Sequence, residues 1–184
     1  MSNDISQRLV EQVKAAHSSR SPLAIRGGGS RAFYGNPVTG DTLSTTGHTG
    51  IVEYQPSELV VTVRSGTLLS ELENELAANR QMLAFEPPQH SPQSTIGGVI
   101  ACGLSGPRRV ACGAARDFLL GATIINGRGE KLRFGGQVMK NVAGYDAARL
   151  MAGAQGTLGV LLAVSLKVLP LSESEISLAI ECEL

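Results

Sequence analysis

The sequence predicts an α+β fold of two lobes: a small α/β lobe over about residues 1–86, then a larger lobe over about 87–171 with an antiparallel sheet and flanking helices. Three observations carry this. From Ala24 to Phe85 the apolar pattern reads strand, strand, helix, strand. From Asp117 to Gly136 two β-like runs flank an Asn126-Gly127 turn region. Near the end, Val164, Leu166 and Val168 alternate with Ser165 and Lys167, the period of a strand with one face in the core.

The elements follow in order. Ile5, Leu9, Val13 and Ala16 form a helical stripe with Asp4 available as its cap. "PLAI" (Pro22–Ile25) is a short apolar run that feeds three glycines, and Phe33 to Thr49 is small, polar and turn-rich. Ile51–Tyr54 and Leu59–Val63 read as strands joined through Pro56. The second is nearly continuous and β-branched, as a strand buried on both faces would be. Leu68, Leu72 and Leu76 mark an amphipathic helix with Thr67 as N-cap and Asn79 at its end, and "MLAF" reads as another strand. "YDAARLMAG" is a short helix with Asp146 as N-cap and Gly153 as stop.

Composition narrows the function classes. The 184 residues carry 16 basic and 16 acidic side chains, so no basic face argues for a nucleic-acid partner. No uninterrupted apolar segment reaches the roughly 18 residues of a membrane span, and the polar N-terminus lacks a signal-peptide pattern. Cys102, Cys112 and Cys182 have no CxxC spacing, which disfavours disulfides and fits a reducing compartment. His17, His48 and His90 stand apart from one another and from the cysteines, so no metal site is expected.

The 22 glycines cluster. "RGGGSR" (Arg26–Arg31) follows a strand but is neither a Walker A loop nor GxGxxG. It suits either a tight turn or a nest of successive N–H groups holding an anion, with Ser30, Arg26 and Arg31 adding donors and charge. Thr95 resembles an N-cap, which places Gly97 and Gly98 in a first helical turn. Their missing side chains suit either a ligand touching backbone amides or a close helix–sheet contact. "GAQGTLGV" (Gly153–Val160) is the third loop. One long ligand with a diphosphate would explain all three.

At this point the residues resemble a family. "AIRGGGSR", "STIGGVIACGLSG", "GAARDFLLGATIINGRGE", "KNVAGYDAARLMAGAQGTLGVL" and "SLKVLP" occur in the order seen in FAD-binding domains of the vanillyl-alcohol oxidase / p-cresol methylhydroxylase (PCMH) type, over about Pro22 to Pro170. "FGGQVMKNVAGYD", "MLAFEPP" and "LSGPRR" look most like the FAD-binding subunit of bacterial glycolate oxidase (glycolate dehydrogenase).

The resemblance implies FAD between the two lobes. It assigns Arg26, Gly27, Gly28, Gly29, Ser30 and Arg31 to the diphosphate, and Pro87, Thr95, Gly97 and Gly98 to a segment running along flavin and diphosphate. Ser105, Gly106, Gly113 and Arg116 would border the flavin and ribityl chain, and Gly159 and Val160 the far end of the cofactor. Lys140, Asn141, Gly144, Tyr145 and Asp146 match a further motif, in which Asp146 is better read as a cap. Ser30 stands where covalently flavinylated members carry histidine, so the FAD is expected to be non-covalent. Arg108 and Arg109 are read as surface residues, with capture of a substrate carboxylate as the alternative.

The function implied is an FAD-dependent oxidoreductase subunit acting on a glycolate-like 2-hydroxy acid. It would stand beside a second FAD subunit and an iron–sulfur subunit, in the cytoplasm or held peripherally at the inner membrane through those partners. The alternative is a non-catalytic FAD-binding assembly subunit or a fragment, since residues 172–184 read as the start of a missing or truncated C-terminal domain. No catalytic acid, base or nucleophile is identifiable.

Overall fold

The computed structural model describes residues 3–136 and 145–181. The motif residues Lys140, Asn141 and Gly144 lie outside the described residues, as does Cys182. The strands are β1 (Leu23–Arg26), β2 (Asp41–Ser44), β3 (Ile51–Gln55), β4 (Val60–Arg64), β5 (Gln81–Met82), β6 (Leu119–Ile125), β7 (Lys131–Gly135), β8 (Val160–Lys167) and β9 (Leu169–Pro170). The helices are α1 (Ser6–Ser19), α2 (Leu69–Ala78), α3 (Ile96–Cys102), α4 (Arg109–Cys112), α5 (Ala115–Phe118) and α6 (Ala147–Leu150). A 3₁₀ turn, Pro56–Glu58, joins β3 to β4.

The main sheet has the order β3-β4-β8-β6-β7, antiparallel throughout. The boundary expected near residue 86 therefore does not divide the sheet: β3 and β4, from before it, bond through β8 to β6 and β7, from after it. The cause lies in β4. Its near-continuous apolar run needs cover on both faces and a partner on both edges, and β3 supplies only one edge. β1 and β2 form a separate parallel pair, with Ala24 opposite Thr42. β2 falls in the stretch read as turn-rich, because Leu43 is its one buried residue and leaves almost no pattern.

β8 departs from the one-faced strand expected. An extra residue in β8, between the pairs Thr123–Ala163 and Ile124–Leu161, shifts its alternation at Leu162. Val160 and Leu162 consequently pack against Leu9, Val10 and Val13 of α1, whereas Leu161, Val164 and Leu166 join the main core. Ser165, also buried, shares a 2.9 Å hydrogen bond with Thr62 of β4.

Two further expectations change. Thr67 does not cap α2; its Oγ1 accepts the Gly50 N–H at 2.9 Å, and the helix buries Leu69, Leu72 and Leu76. Only Gln81–Met82 of the "MLAF" region is strand, paired with β9; Leu83, Ala84 and Phe85 turn into the core, where Phe85 meets Phe118 at 5.4 Å between ring centroids. Thr95 caps α3 and Asp146 caps α6, each side chain accepting the N–H three residues on. From 172 to 181 the chain runs without regular structure, with Ile176, Leu178 and Ile180 exposed.

Candidate functional site

The first glycine loop leaves the end of β1 with its amides unused. Among the described residues, the N–H groups of Gly27, Gly28, Gly29 and Ser30 donate to no group of the chain. Gly29 sits at φ +72° with nothing within 4 Å of where a Cβ would lie, so only its backbone conformation asks for glycine. Arg31 turns inward and is 7% exposed. It donates to the carbonyl oxygen of Pro88 and, at 3.3 Å, to Ser30 Oγ, which also accepts from Ser94 Oγ at 3.0 Å. Its Nε has no partner, and among the described residues it forms no ion pair. Burial lowers the guanidinium's pKa from its ordinary value, with the neighbouring Cys102 thiol opposing. An arginine held this way is a buried cation without a counter-charge.

The second loop behaves differently from expectation. The Ile96 N–H donates to Thr67 O at 2.9 Å, the Gly97 N–H to Ser65 O at 2.7 Å, and the Gly98 N–H to Thr95 Oγ1 at 3.3 Å. These first-turn amides are taken, so a ligand does not find them free. A Cβ at position 97 would lie 2.7 Å from Ser65 Cβ, which makes Gly97 the close-contact glycine. One at position 98 would meet only Thr95 Oγ1, at 3.3 Å, and Arg31 Nη1, at 3.9 Å. Gly98 is thus the one that opens a wall. In the third loop Gly159 has φ +147°, and a Cβ there would lie 2.6 Å from Ile125 O.

All three loops line one cleft of about 530 Å³. It brings together Arg26, Gly27, Gly28, Gly29, Ser30, Arg31, Thr95, Gly97, Gly98 and Gly159. The residues that sequence reasoning missed are Thr45, Ser65, Cys102, Gln155 and the aromatic wall of Phe33 and Tyr34. Ser65 carried a faint signal, as a small polar residue at the junction of an apolar strand and a helix. Among the described residues, no carboxylate or imidazole lines the cleft. The arrangement can grip an anionic, partly apolar ligand.

Six expected residues lie outside it. Pro87 and Gly106 line a second cavity of about 910 Å³. Ser105 Oγ accepts the Ala115 N–H at 2.9 Å, Gly113 turns at φ +102° beside Asp117, and Arg116 is exposed, 3.9 Å from Asp117. Val160 is buried against α1. Arg108 is held by Glu86 at 3.2 Å and Glu175 at 2.9 Å, so its charge is already met, whereas Arg109 is exposed. Tyr145 is fully exposed, and Asp146 Oδ1 accepts the Arg149 N–H at 3.0 Å. Among the described residues there is no metal-binding cluster, and no helix is long and apolar enough to cross a membrane.

Comparison with known proteins bears on this cleft. Residues 6–135 match the family described as FAD binding domain. Over 181 residues the chain is 54% identical to the glycolate oxidase subunit GlcE of Escherichia coli (strain K12), covering 98% of this chain and 52% of that protein. It is 32% identical over 180 residues to a D-lactate dehydrogenase of Anaerostipes hadrus, covering 96% of this chain and 37% of that one. A solved structure of alkyldihydroxyacetonephosphate synthase shares the fold, with a TM-score of 0.73 at 22% identity, over 91% of this chain and 31% of that chain. The chain thus spans about half the length of the first relative and less of the second.

Proposed function

This chain belongs to the family of FAD binding domains, and from that premise we propose that it is the FAD-binding part of a complex that oxidises a small 2-hydroxy acid of the glycolate kind. The single observation that supports the reading most is the pairing of a buried, counter-charge-free Arg31 with the unused N–H groups of Gly27 to Ser30 on one cleft. A diphosphate fits that donor set, because it supplies the acceptors and the negative charge that the fold leaves unprovided.

The residues divide the work of holding the cofactor. The amides of Gly27, Gly28, Gly29 and Ser30 bind phosphate oxygens, and Arg31, helped by Arg26, neutralises them. Thr95 and Gly98 form the wall along which the cofactor lies, with Gly97 keeping that wall close to the sheet. On the resemblance, Pro87 stands just before that wall, Ser105, Gly106, Gly113 and Arg116 border the flavin and ribityl portion, and Gly159 and Val160 the opposite end; of these seven residues Gly159 alone lines the cleft. Bound flavin supplies acceptance of a hydride equivalent from the hydroxy acid and onward transfer of its electrons. A second flavin subunit and an iron–sulfur subunit complete the assembly. Ser30 has no nucleophilic nitrogen, so the cofactor is held without a covalent bond.

A second reading, a cofactor-binding subunit without turnover of its own, draws on the absence of any carboxylate or histidine from the cleft lining among the described residues. The purified protein's visible spectrum tests the first reading: a flavin spectrum, released entirely into the supernatant by acid, is expected. A colourless protein that takes up no added FAD would sink it. Bleaching by anaerobic glycolate, with the partner subunits present, separates turnover from assembly alone.

A further inference from the structure

Among the described residues, two buried side-chain polar atoms lack a hydrogen-bond partner, Arg31 Nε and Ser65 Oγ, and both residues line the cleft. Arg31 is explained by a bound anion. Ser65 has no explanation within the fold. It lies just past the end of β4 and is 1% exposed. Its backbone is fully engaged: the N–H donates to Leu162 O at 2.8 Å, and the carbonyl accepts from the Gly97 N–H at 2.7 Å. The residue is therefore fixed to β8 on one side and to α3 on the other, and its hydroxyl stays where the main chain puts it. Gly97 keeps α3 close at this point, since a Cβ there would lie 2.7 Å from Ser65 Cβ. A buried hydroxyl without a partner is destabilising, and native structures rarely keep one that nothing else satisfies. An alanine would fill the same site without that penalty.

We propose that Ser65 is a ligand-binding residue of the cleft, its hydroxyl donating to an acceptor oxygen of bound FAD. The proposal rests on the FAD reading above. It assigns a contact to the junction between β4 and α2, outside the glycine loops, and it makes the hydroxyl's partner part of the loaded state only.

The test is Ser65→Ala in the full chain, compared with the wild type in two measurements: FAD affinity by quenching of flavin fluorescence, and the thermal midpoint of ligand-free protein. The expected result is an FAD dissociation constant raised about tenfold, the loss of one buried hydrogen bond, with a ligand-free midpoint unchanged or higher. FAD affinity equal to that of the wild type would overturn the assignment. So would a ligand-free midpoint several degrees lower, because the hydroxyl would then have a structural partner. A wild-type chain that takes up no FAD would instead bring down the parent reading, and this contact with it.

Discussion

A Cβ at position 28 would lie 1.6 Å from the carbonyl oxygen of Gln93, so Gly28 is where the first loop and the segment before α3 touch backbone to backbone. A side chain at this position disturbs the loop whether or not a ligand binds. Gly98 is the informative contrast, because a Cβ there points into the cleft beside Arg31. Gly28→Ala should lower the ligand-free thermal midpoint by several degrees. Gly98→Ala should hold or raise it, since alanine favours a helix by up to about 1 kcal/mol over glycine, while weakening FAD. A melt and an FAD titration of each variant check this; a stable Gly28→Ala that binds FAD normally would contradict it.

Arg31→Met keeps the stem and removes the charge. Losing a charge-assisted hydrogen bond to phosphate removes about 1.5–3 kcal/mol of binding, so the variant should purify with little or no flavin. Raising the salt concentration should weaken FAD less in the variant than in the wild type. Wild-type flavin content in Arg31→Met would show that the guanidinium serves only Pro88 and Ser30.

Acid should loosen the N-terminal segment through His48. Its Nδ1 accepts the Ile5 N–H at 3.2 Å in a buried site, and a protonated ring cannot accept there. Burial lowers the His48 pKa; Arg64 and Lys131 add to the shift, and Asp4, 3.7 Å away, opposes it. The unfolded chain therefore binds the proton more readily than the native one. Stability is full above the ordinary histidine value of about 6.5 and falls as pH drops through it, levelling off below the folded value. Asp4 acts in a lower pH window: the Ser6 N–H holds its carboxyl far below the usual carboxylate range, so its contribution is full at pH 5 and is lost progressively as pH falls below the ordinary carboxylate value of about 3.9. Urea midpoints at pH 7 and pH 5 measure the effect. His48→Asn, which keeps an acceptor near Nδ1, should flatten the difference.

Asp146→Ala distinguishes a cap from a ligand. The carboxylate meets the Arg149 N–H at 3.0 Å and Arg149 Nε at 3.1 Å, outside the cleft. Its loss should cost about 1 kcal/mol of stability and leave FAD affinity unchanged. A drop in affinity larger than the drop in stability would put this residue on the cofactor.

The elements legible in the sequence are those whose packing writes a period. Leu9 and Val13 marked α1, Leu72 and Leu76 marked α2, and the Asn126-Gly127 turn region marked the β6–β7 hairpin. β2 was hidden because one buried leucine makes no pattern. The sheet order was hidden because strand pairing is a long-range choice that no local period records. At β8 the period read over Val164, Leu166 and Val168 holds, and what it could not record is the extra residue at Leu162, which exchanges the faces before that stretch. In the site, glycines announced the loops but not their duties. That Gly97 is a spacer and Gly98 an opening depends on where Ser65 and Arg31 come to rest, and both of those are tertiary facts.

The place of β8 between β4 and β6 has a consequence for how the chain is made. During synthesis β4 and β6 emerge well before residue 160, and each waits with an open edge for the strand that will separate them. Until Val160–Lys167 arrives, the cheapest error is for those edges to pair with each other or with a neighbouring nascent chain. The main sheet therefore closes late, because without Val160–Lys167 both β4 and β6 keep an open edge.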